Sequence, residues 1–413
     1  MEIRLFKKQG FWSILDQAIL SGSNFLTVAI LFRWLSKSEF GQYSIIHILI
    51  LFFMSFQTAL IISPFINFGS TKNGNDQDQY TSNVFSIQFF YSLLLFFFIP
   101  ISIFLKGENQ IDIKFILLSA VFINLKLIHE LLRKYFYISK QTIKITVGDF
   151  CISFILISTL FFINQFHHNN LHNTLFAHIV SLSLPTAVLL YYSPINKESF
   201  KISLNALSLH WSYGKWLLAK AIVQWWSSNY FIIAAVIIYG DVAAGTIKSS
   251  QNIIGIISIF FLALENYVPI HAAQAYKNNQ WEGLINYLKK ITIKGGLVTI
   301  ALSVFVIFFR DHILDLTYGS NDPEISKLLF WMALMPIVTF LGLPIRIALR
   351  TTNLTRPIFT SYLVSSVLSL LLAHPLIKHF GLNSVAFGMI GSQVIINALC
   401  FISIVKKYKN ENY

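Results

Sequence analysis

Charge is the scarcest commodity in this 413-residue chain: Asp, Glu, Lys and Arg together make up 12% of it, against about 25% in a soluble domain. That shortage excludes an ordinary water-soluble surface. Cysteine is almost absent as well. Only Cys151 and Cys400 occur, both inside apolar runs, so neither a disulfide framework nor a CxxC metal site can be built. Long polar connections are missing, which leaves no room for a soluble domain or for the sizeable outer loop of a membrane glycan polymerase or ligase. No P-loop, GxSxG or HExxH pattern occurs, which excludes ATP hydrolysis and these hydrolytic chemistries. His167, His168 and His172 lack a neighbouring carboxylate or Cys in the sequence and read as a solvated loop rather than a metal centre. No cofactor is expected.

What remains is apolar, with hydrophobic residues at 55%. A helix crosses the ~30 Å hydrocarbon core in about 20 residues. Runs of that size lie near residues 11–34, 42–64, 82–105, 113–138, 146–165, 172–193, 215–239, 246–270, 291–309, 326–349, 357–377 and 383–405. The expected fold class is an all-α integral membrane protein of about twelve transmembrane helices. The basic N-terminus MEIRLFKKQG leads into the first run without a small-residue cleavage site, so that run is expected to stay as an uncleaved first span.

The net charge is +13, from 31 Lys and Arg against 18 Asp and Glu. A nucleic-acid binder would gather these cations on one face. Here they fall between apolar runs and read as topology signals, with no nucleic-acid partner implied. The N-terminus and alternate loops hold most of them. Arg33, Lys37, Lys106, Lys114, Lys248, Arg310, Lys327 and Lys378 fall on the other side. Both termini are therefore expected in the cytoplasm, with the chain in a bacterial inner membrane.

Twelve spans suggest two sets of six. At an offset of 204 residues Trp12 meets Trp216, Ser23 meets Ser227, Gly41 meets Gly245, and Asp16 meets Lys220. This weak register divides the chain into an N-terminal bundle over 1–193, a cytoplasmic linker over 194–214 and a C-terminal bundle over 215–413.

Several charges cannot be placed in loops. Between Lys114 and Lys126 lie eleven uncharged residues, which cover ~17 Å as helix and cannot span. The fourth span must then carry Lys126, His129 and Glu130 at membrane depth, where a charge marks a pathway by default. Lys126, Glu130 and Arg133 are spaced i, i+4, i+7 on one helical face. Two readings stay open: Lys126 and Glu130 pair with each other while Arg133 and Lys134 snorkel, or the set lines a polar lumen. The first span carries Ser13, Asp16, Gln17, Ser21 and Asn24 within about 140° of arc. The eighth has Gln251, Gly255, Ser258 and Glu265. Small residues there suit close helix packing, which leaves Asp16 and Glu265 unaccounted for. The seventh carries Lys220, Gln224, Trp225, Trp226 and Asn229 near mid-depth, as sugar contacts or as lipid-facing bulk. Arg346 and Arg350 lie one turn apart in the tenth, a spacing suited to phosphate oxygens.

The segments RWLSKSEFGQYSI, IHELLRKYFYISKQ, SSQNIIGIISIFFLALENYVPIHAAQAY, LRTTNLTRPIFTSYLV and HFGLNSVAFGMIGSQ resemble the oligosaccharide flippases of bacterial O-antigen and capsule synthesis. The sharpest of these motifs is the Phe-Gly-x-Tyr turn of Phe40, Gly41 and Tyr43. These flippases share a superfamily with multidrug extruders and murein-precursor flippases. The resemblance implies two six-helix bundles around a central cavity, rocking between inward-open and outward-open states. It implies an undecaprenyl-diphosphate-linked oligosaccharide as cargo, contact with membrane lipid, and association with polysaccharide polymerase machinery. A diphosphate crossing a low-dielectric layer needs cations. The expected substrate-binding set is Lys126, Arg133, Lys220, Gln224, Trp225, Asn229, Arg346 and Arg350. Asp16, Glu130 and Glu265 are the expected coupling or gating carboxylates. A cation-coupled drug extruder of the same fold is the alternative, and it would want an acidic, aromatic cavity.

Overall fold

The computed structural model describes residues 2–69, 72, 74–104, 112–194, 203–352, 354 and 356–412. The described residues are overwhelmingly helical. In chain order the helices are α1 (Glu2–Trp34), α2 (Lys37–Gln57), a single π-helical turn (Thr58–Ile62), α3 (Ser63–Gly69), α4 (Asn75–Phe104), α5 (Ile113–Ile138), α6 (Thr142–Gln165), α7 (Leu171–Tyr191), α8 (Leu204–Tyr239), α9 (Asp241–Tyr318), α10 (Pro323–Met332), α11 (Met335–Thr351), α12 (Arg356–Phe380) and α13 (Ser384–Asn412).

Eleven stretches of the described residues are long and apolar enough to cross a membrane. The runs expected at 246–270 and 291–309 both lie in α9, a helical stretch of 78 residues. Its connecting segment HAAQAYKNNQWEGLINYLKK is rich in helix formers, so helix extends into it from both runs. A straight helix of that length would run ~117 Å, several times the membrane thickness. The ladder breaks at Asn279 (φ −132°) and Gln280 (φ 45°). Beyond the break Gly283 lies against the Ala275 carbonyl, where a Cβ would clash. Val268 and Ala272 before the break then pack with Trp281, Leu284 and Leu288 after it, and with Phe340 and Leu343 of α11.

Two local features position other helices. Ser36 and Glu39 form a reciprocal capping box at the start of α2. Phe40, Gly41 and Tyr43 therefore lie in its first helical turns, buried, and not in a turn between spans. Glu39 Oε1 also accepts the Leu171 N–H at 3.1 Å, tying α2 to the N-terminus of α7. The π-helical turn widens the ladder and displaces carbonyls from their regular partners. Leu60 O accepts instead from His210 Nδ1 at 3.0 Å, and Tyr80 O–H reaches His210 Nε2 at 2.8 Å. Gly214, one turn on, packs so closely that a Cβ would stand 2.8 Å from Ala59 O. The connector expected over 194–214 is accordingly helical from Leu204, and 195–202 lies outside the described residues.

The chain divides into two compact units. One comprises Met1–Thr27 with Trp34–Ile222, the other Val28–Arg33 with Val223–Tyr413. In the first, α5 packs against α2, α4, α6 and α7, and its apolar window is 61% buried, more than that of any other candidate span. Leu131, Leu132, Tyr135 and Phe136 of α5 meet Phe65, Val84, Ile145 and Leu189 there. In the second, α9, α11 and α13 pack together, and α12 packs along α13. Phe97, Phe154, Phe162, Phe308 and Leu371 are exposed, which water would penalise and lipid tails would not.

Candidate functional site

Helix α5 is the central strut of the first unit, so its buried charged residues can be reached by partners on its neighbours. Arg133 does so completely. Its Nη2 donates to Asp16 Oδ2 of α1 at 2.8 Å, its Nη1 to Glu130 Oε2 at 3.0 Å, and its Nε to Asp149 Oδ2 of α6 at 3.0 Å. Three carboxylates from three helices thus surround one guanidinium, a geometry its planar fork of donors allows and a lysine would not. Asp16 and Asp149 are fully buried and Arg133 is 12% exposed.

A second layer orients the first. Tyr137 O–H donates to Asp16 Oδ2 at 2.6 Å. His129 Nε2 lies 2.6 Å from Asp149 Oδ1, and its Nδ1 lies 3.3 Å from the Thr186 hydroxyl of α7. Lys134 Nζ pairs with Glu130 at 2.9 Å. Asp16 and Asp149 both accept from the one Arg133 guanidinium, and Asp16 Oδ1 is buried without a hydrogen-bond partner among the described residues. The cluster therefore gathers two buried aspartates and a glutamate onto one permanent cation, within the apolar helices.

The expected set of site residues is only partly brought together. Asp16, Glu130 and Arg133 meet directly, with Lys126 on the same helix. Glu130 is taken by Arg133 and Lys134, so the Lys126–Glu130 pair does not form, and Lys126 makes no hydrogen bond or ion pair among the described residues. Arg133 neither snorkels nor presents a free fork, because three carboxylates occupy it. Lys220 lies on the part of α8 that belongs to the first unit. Gln224, farther along α8, is exposed, Trp225 stands edge-on to Trp226, and the Asn229 amide folds back onto Trp225 O at 3.1 Å.

In the second unit Arg346 is buried and meets only neutral groups, with Nη1 on Asn397 Oδ1 at 3.2 Å and Nη2 on Thr339 O at 3.4 Å. Asn397 is held by Gln393 and by Val338 O. Gly342 makes this possible, since a Cβ there would collide with both Asn397 Oδ1 and Arg346 Nη1. Arg350 and Glu265 are exposed.

Asp149, His129 and Tyr137 carry as much of the cluster as the expected residues do. Asp149 was legible by the criterion that selected Asp16, an acid inside an apolar run. The sequence places His129 at membrane depth but not its partner, and does not single out Tyr137, because both roles depend on which helix faces them. His172 also departs from expectation. It is not in a loop free of carboxylates: it opens α7 and its Nε2 lies 2.5 Å from Asp112 Oδ2, the N-cap of α5. Burial alone would raise the Asp112 carboxyl. The backbone N–H groups of Phe115 and Lys114 and the His172 ring outweigh it and hold the group below the usual carboxylate range. Among the described residues no group of three or more His, Cys, Asp and Glu side chains is placed to hold a metal ion.

Against known proteins, residues 217–374 match the MatE family model. An inward-facing multidrug-resistance MATE family transporter of the MOP superfamily superimposes with a TM-score of 0.79 at 12% identity, covering 96% of each chain. The fold is that of the MATE transporters. The lipid II flippase MurJ, in an inward closed conformation, superimposes with a TM-score of 0.73 at 14% identity, covering 95% of this chain and 87% of MurJ. A MOP superfamily transporter from Pyrococcus furiosus, described as having a binding pocket of reversed polarity, gives 0.61 at 12% identity over 94% of each chain. No curated protein matches. The MatE match falls from α8 to α12, whereas the Arg133 cluster lies in the first unit, outside it.

Proposed function

We propose that this protein is a flippase that carries an undecaprenyl-diphosphate-linked oligosaccharide from the cytoplasmic to the outer leaflet by alternating access, for surface polysaccharide synthesis. The observation that carries the proposal is positive charge in the apolar helices that no carboxylate among the described residues hydrogen-bonds or ion-pairs. Arg346 is buried against amide and carbonyl oxygens alone, and Lys126 has no ion-pair partner among the described residues. A cation kept in such a place is costly unless an anion visits it. A diphosphate is such an anion, and a cationic drug is not. Likeness to a lipid II flippase over most of the chain supports the same direction.

Residue roles follow from this reading. Lys126, Arg346 and Arg350 contact the diphosphate, Lys220 adds charge along α8, and Gln224, Trp225 and Asn229 meet the sugars. Arg133 stays within its carboxylates and positions Asp16 and Asp149, which share the coupling proton. Glu130 braces Arg133, and Glu265 acts at a gate. Membrane lipid and the polymerase machinery are the partners, both termini face the cytoplasm, and no step of catalysis is required.

The MatE match and the acidic members of the Arg133 cluster favour a second reading, a cation-coupled drug extruder. One experiment separates them. Arg346→Gln and Lys126→Ala are placed in a strain that lacks its own O-antigen flippase but expresses this protein, and surface glycan and ethidium efflux are measured together. The flippase reading expects the native protein to restore glycan and both variants to lose at least about tenfold of it, with ethidium retention unchanged. Drug efflux by the native protein without glycan rescue would establish the extruder instead.

A further inference from the structure

The end of the α9 apolar run forms a small cavity in the second unit that the transport reading does not use. Arg310, Ser326, Lys327, Phe330, Trp331 and Asn383 line about 220 Å³. That is below the ~300–1,000 Å³ of drug-sized sites and suits a headgroup. Ser326 is fixed as a relay: its hydroxyl donates to Asp311 Oδ1 and accepts from Arg310 Nε at 3.0 Å. Arg310 Nη1 donates to Ile307 O at 3.0 Å, and the guanidinium stands 5.7 Å from the Phe330 ring centroid. The plane of Arg310 is thus set by three contacts while Nη2 has no acceptor among the described residues. Lys327, in the next position to Ser326, is exposed and makes no ion pair among them.

The residues around the cavity have the composition of a membrane–water interface. Arg310 ends the apolar run, and Phe305, Phe308 and Phe309 just before it are exposed to the outside. Trp331 stands edge-on to Phe387, itself exposed, at 4.7 Å between centroids. Tryptophan at the headgroup level, cations beside it and apolar rings below are what an acidic lipid meets on both of its halves. Asp311 offsets part of the charge, but its Oδ1 is 3.8 Å from Arg310 Nε and already accepts from Ser326.

We propose that this cavity binds the phosphate group of an anionic phospholipid, held between Arg310 Nη2 and Lys327 Nζ with the Asn383 amide beside them and the acyl chains along Phe309 and Phe387. Such a lipid is a resident of the fold, separate from the transported cargo.

The test uses the full-length protein in detergent, with apparent affinity read from the thermal midpoint as phosphatidylglycerol, phosphatidylcholine or inorganic phosphate is added. Phosphatidylglycerol is expected to raise the midpoint saturably, phosphatidylcholine and inorganic phosphate to do so at least about tenfold more weakly, and Lys327→Gln to weaken phosphatidylglycerol by about tenfold. Lys327 is exposed and unpaired, so this variant tests the site without disturbing the fold. Arg310→Gln should abolish saturation. Equal response of native and Lys327→Gln protein to phosphatidylglycerol would overturn the proposal. So would an equal response to inorganic phosphate, which would make the cavity a site for a free anion.

Discussion

Arg133→Gln is the most telling single change in this molecule. It shortens the side chain and removes the guanidinium that hydrogen-bonds both Asp16 and Asp149, which are fully buried. Asp16 would keep Tyr137 and Asp149 would keep His129, but neither is a fixed charge. Breaking a buried ion pair from one side costs about 3–5 kcal/mol, because the stranded carboxylate has no water to return to. Spread over a unit of roughly 200 residues, at about 2–4 °C per kcal/mol, the thermal midpoint should fall by about 6–20 °C. Fluorescence-detected size exclusion of heated, detergent-solubilised protein reads this directly. Removing an acid at the same time should return part of the loss. Arg133→Gln with Asp149→Asn should be more stable than the sum of the two single changes predicts, by at least about 1 kcal/mol. A midpoint for Arg133→Gln within about 2 °C of the native protein, or strict additivity in the double variant, would refute the view that these carboxylates depend on Arg133.

Further outcomes are expected elsewhere. Gly214→Ala puts a methyl against the backbone at Ala59 O and Leu60 Cα and should destabilise by about 1–3 kcal/mol, measured by the same melt. A value indistinguishable from native would mean that α8 does not bear on the π-helical turn. Gly342→Ala should lower glycan export as well as stability, since the added carbon strikes Arg346 and Asn397. Normal export would remove Arg346 from the proposed diphosphate contacts. For Asp112, the folded group is held below its unfolded value, so its stabilisation is complete above the unfolded value and lost as pH falls through the folded one. Asp112→Asn should be less stable than native at pH 6 by under about 1 kcal/mol, as befits an exposed pair. The two proteins should converge below the usual carboxylate range, and a gap that persists in acid would assign the effect to something other than ionisation. Under the proposed coupling, Asp16→Asn should slow export and flatten its dependence on the proton gradient, and an unaltered gradient dependence would exclude that proton.

The apolar runs alone were enough to read an all-helical membrane fold, because a lipid interior accepts only segments that satisfy their own backbone. The spacing from Lys114 to Lys126 likewise required charge within α5, since no shorter helix can cross. The apolar runs place the start of α2 too late, near residue 42, although the Ser36–Glu39 capping box that sets it at Lys37 is local chemistry. The place of the break in α9 was not legible: two apolar runs look the same whether the joining segment is loop or helix, and only the structure put the break at Asn279 and Gln280, with residues on either side of it packed together.

The partners of Arg133 were decided by tertiary structure. Asp16 stands 117 positions before it and Asp149 sixteen after it, and no periodicity along one helix tells which face of another it will meet. By itself the sequence determined that cations and acids must lie at membrane depth, since hydrophobic length and charge position are properties of the chain. Only the packing of α1, α6 and α7 around α5 decided that Arg133 is enclosed by carboxylates while Lys126 is not. At that depth the energy of a charge depends on the few atoms within a hydrogen bond of it, and those atoms come from elsewhere in the chain.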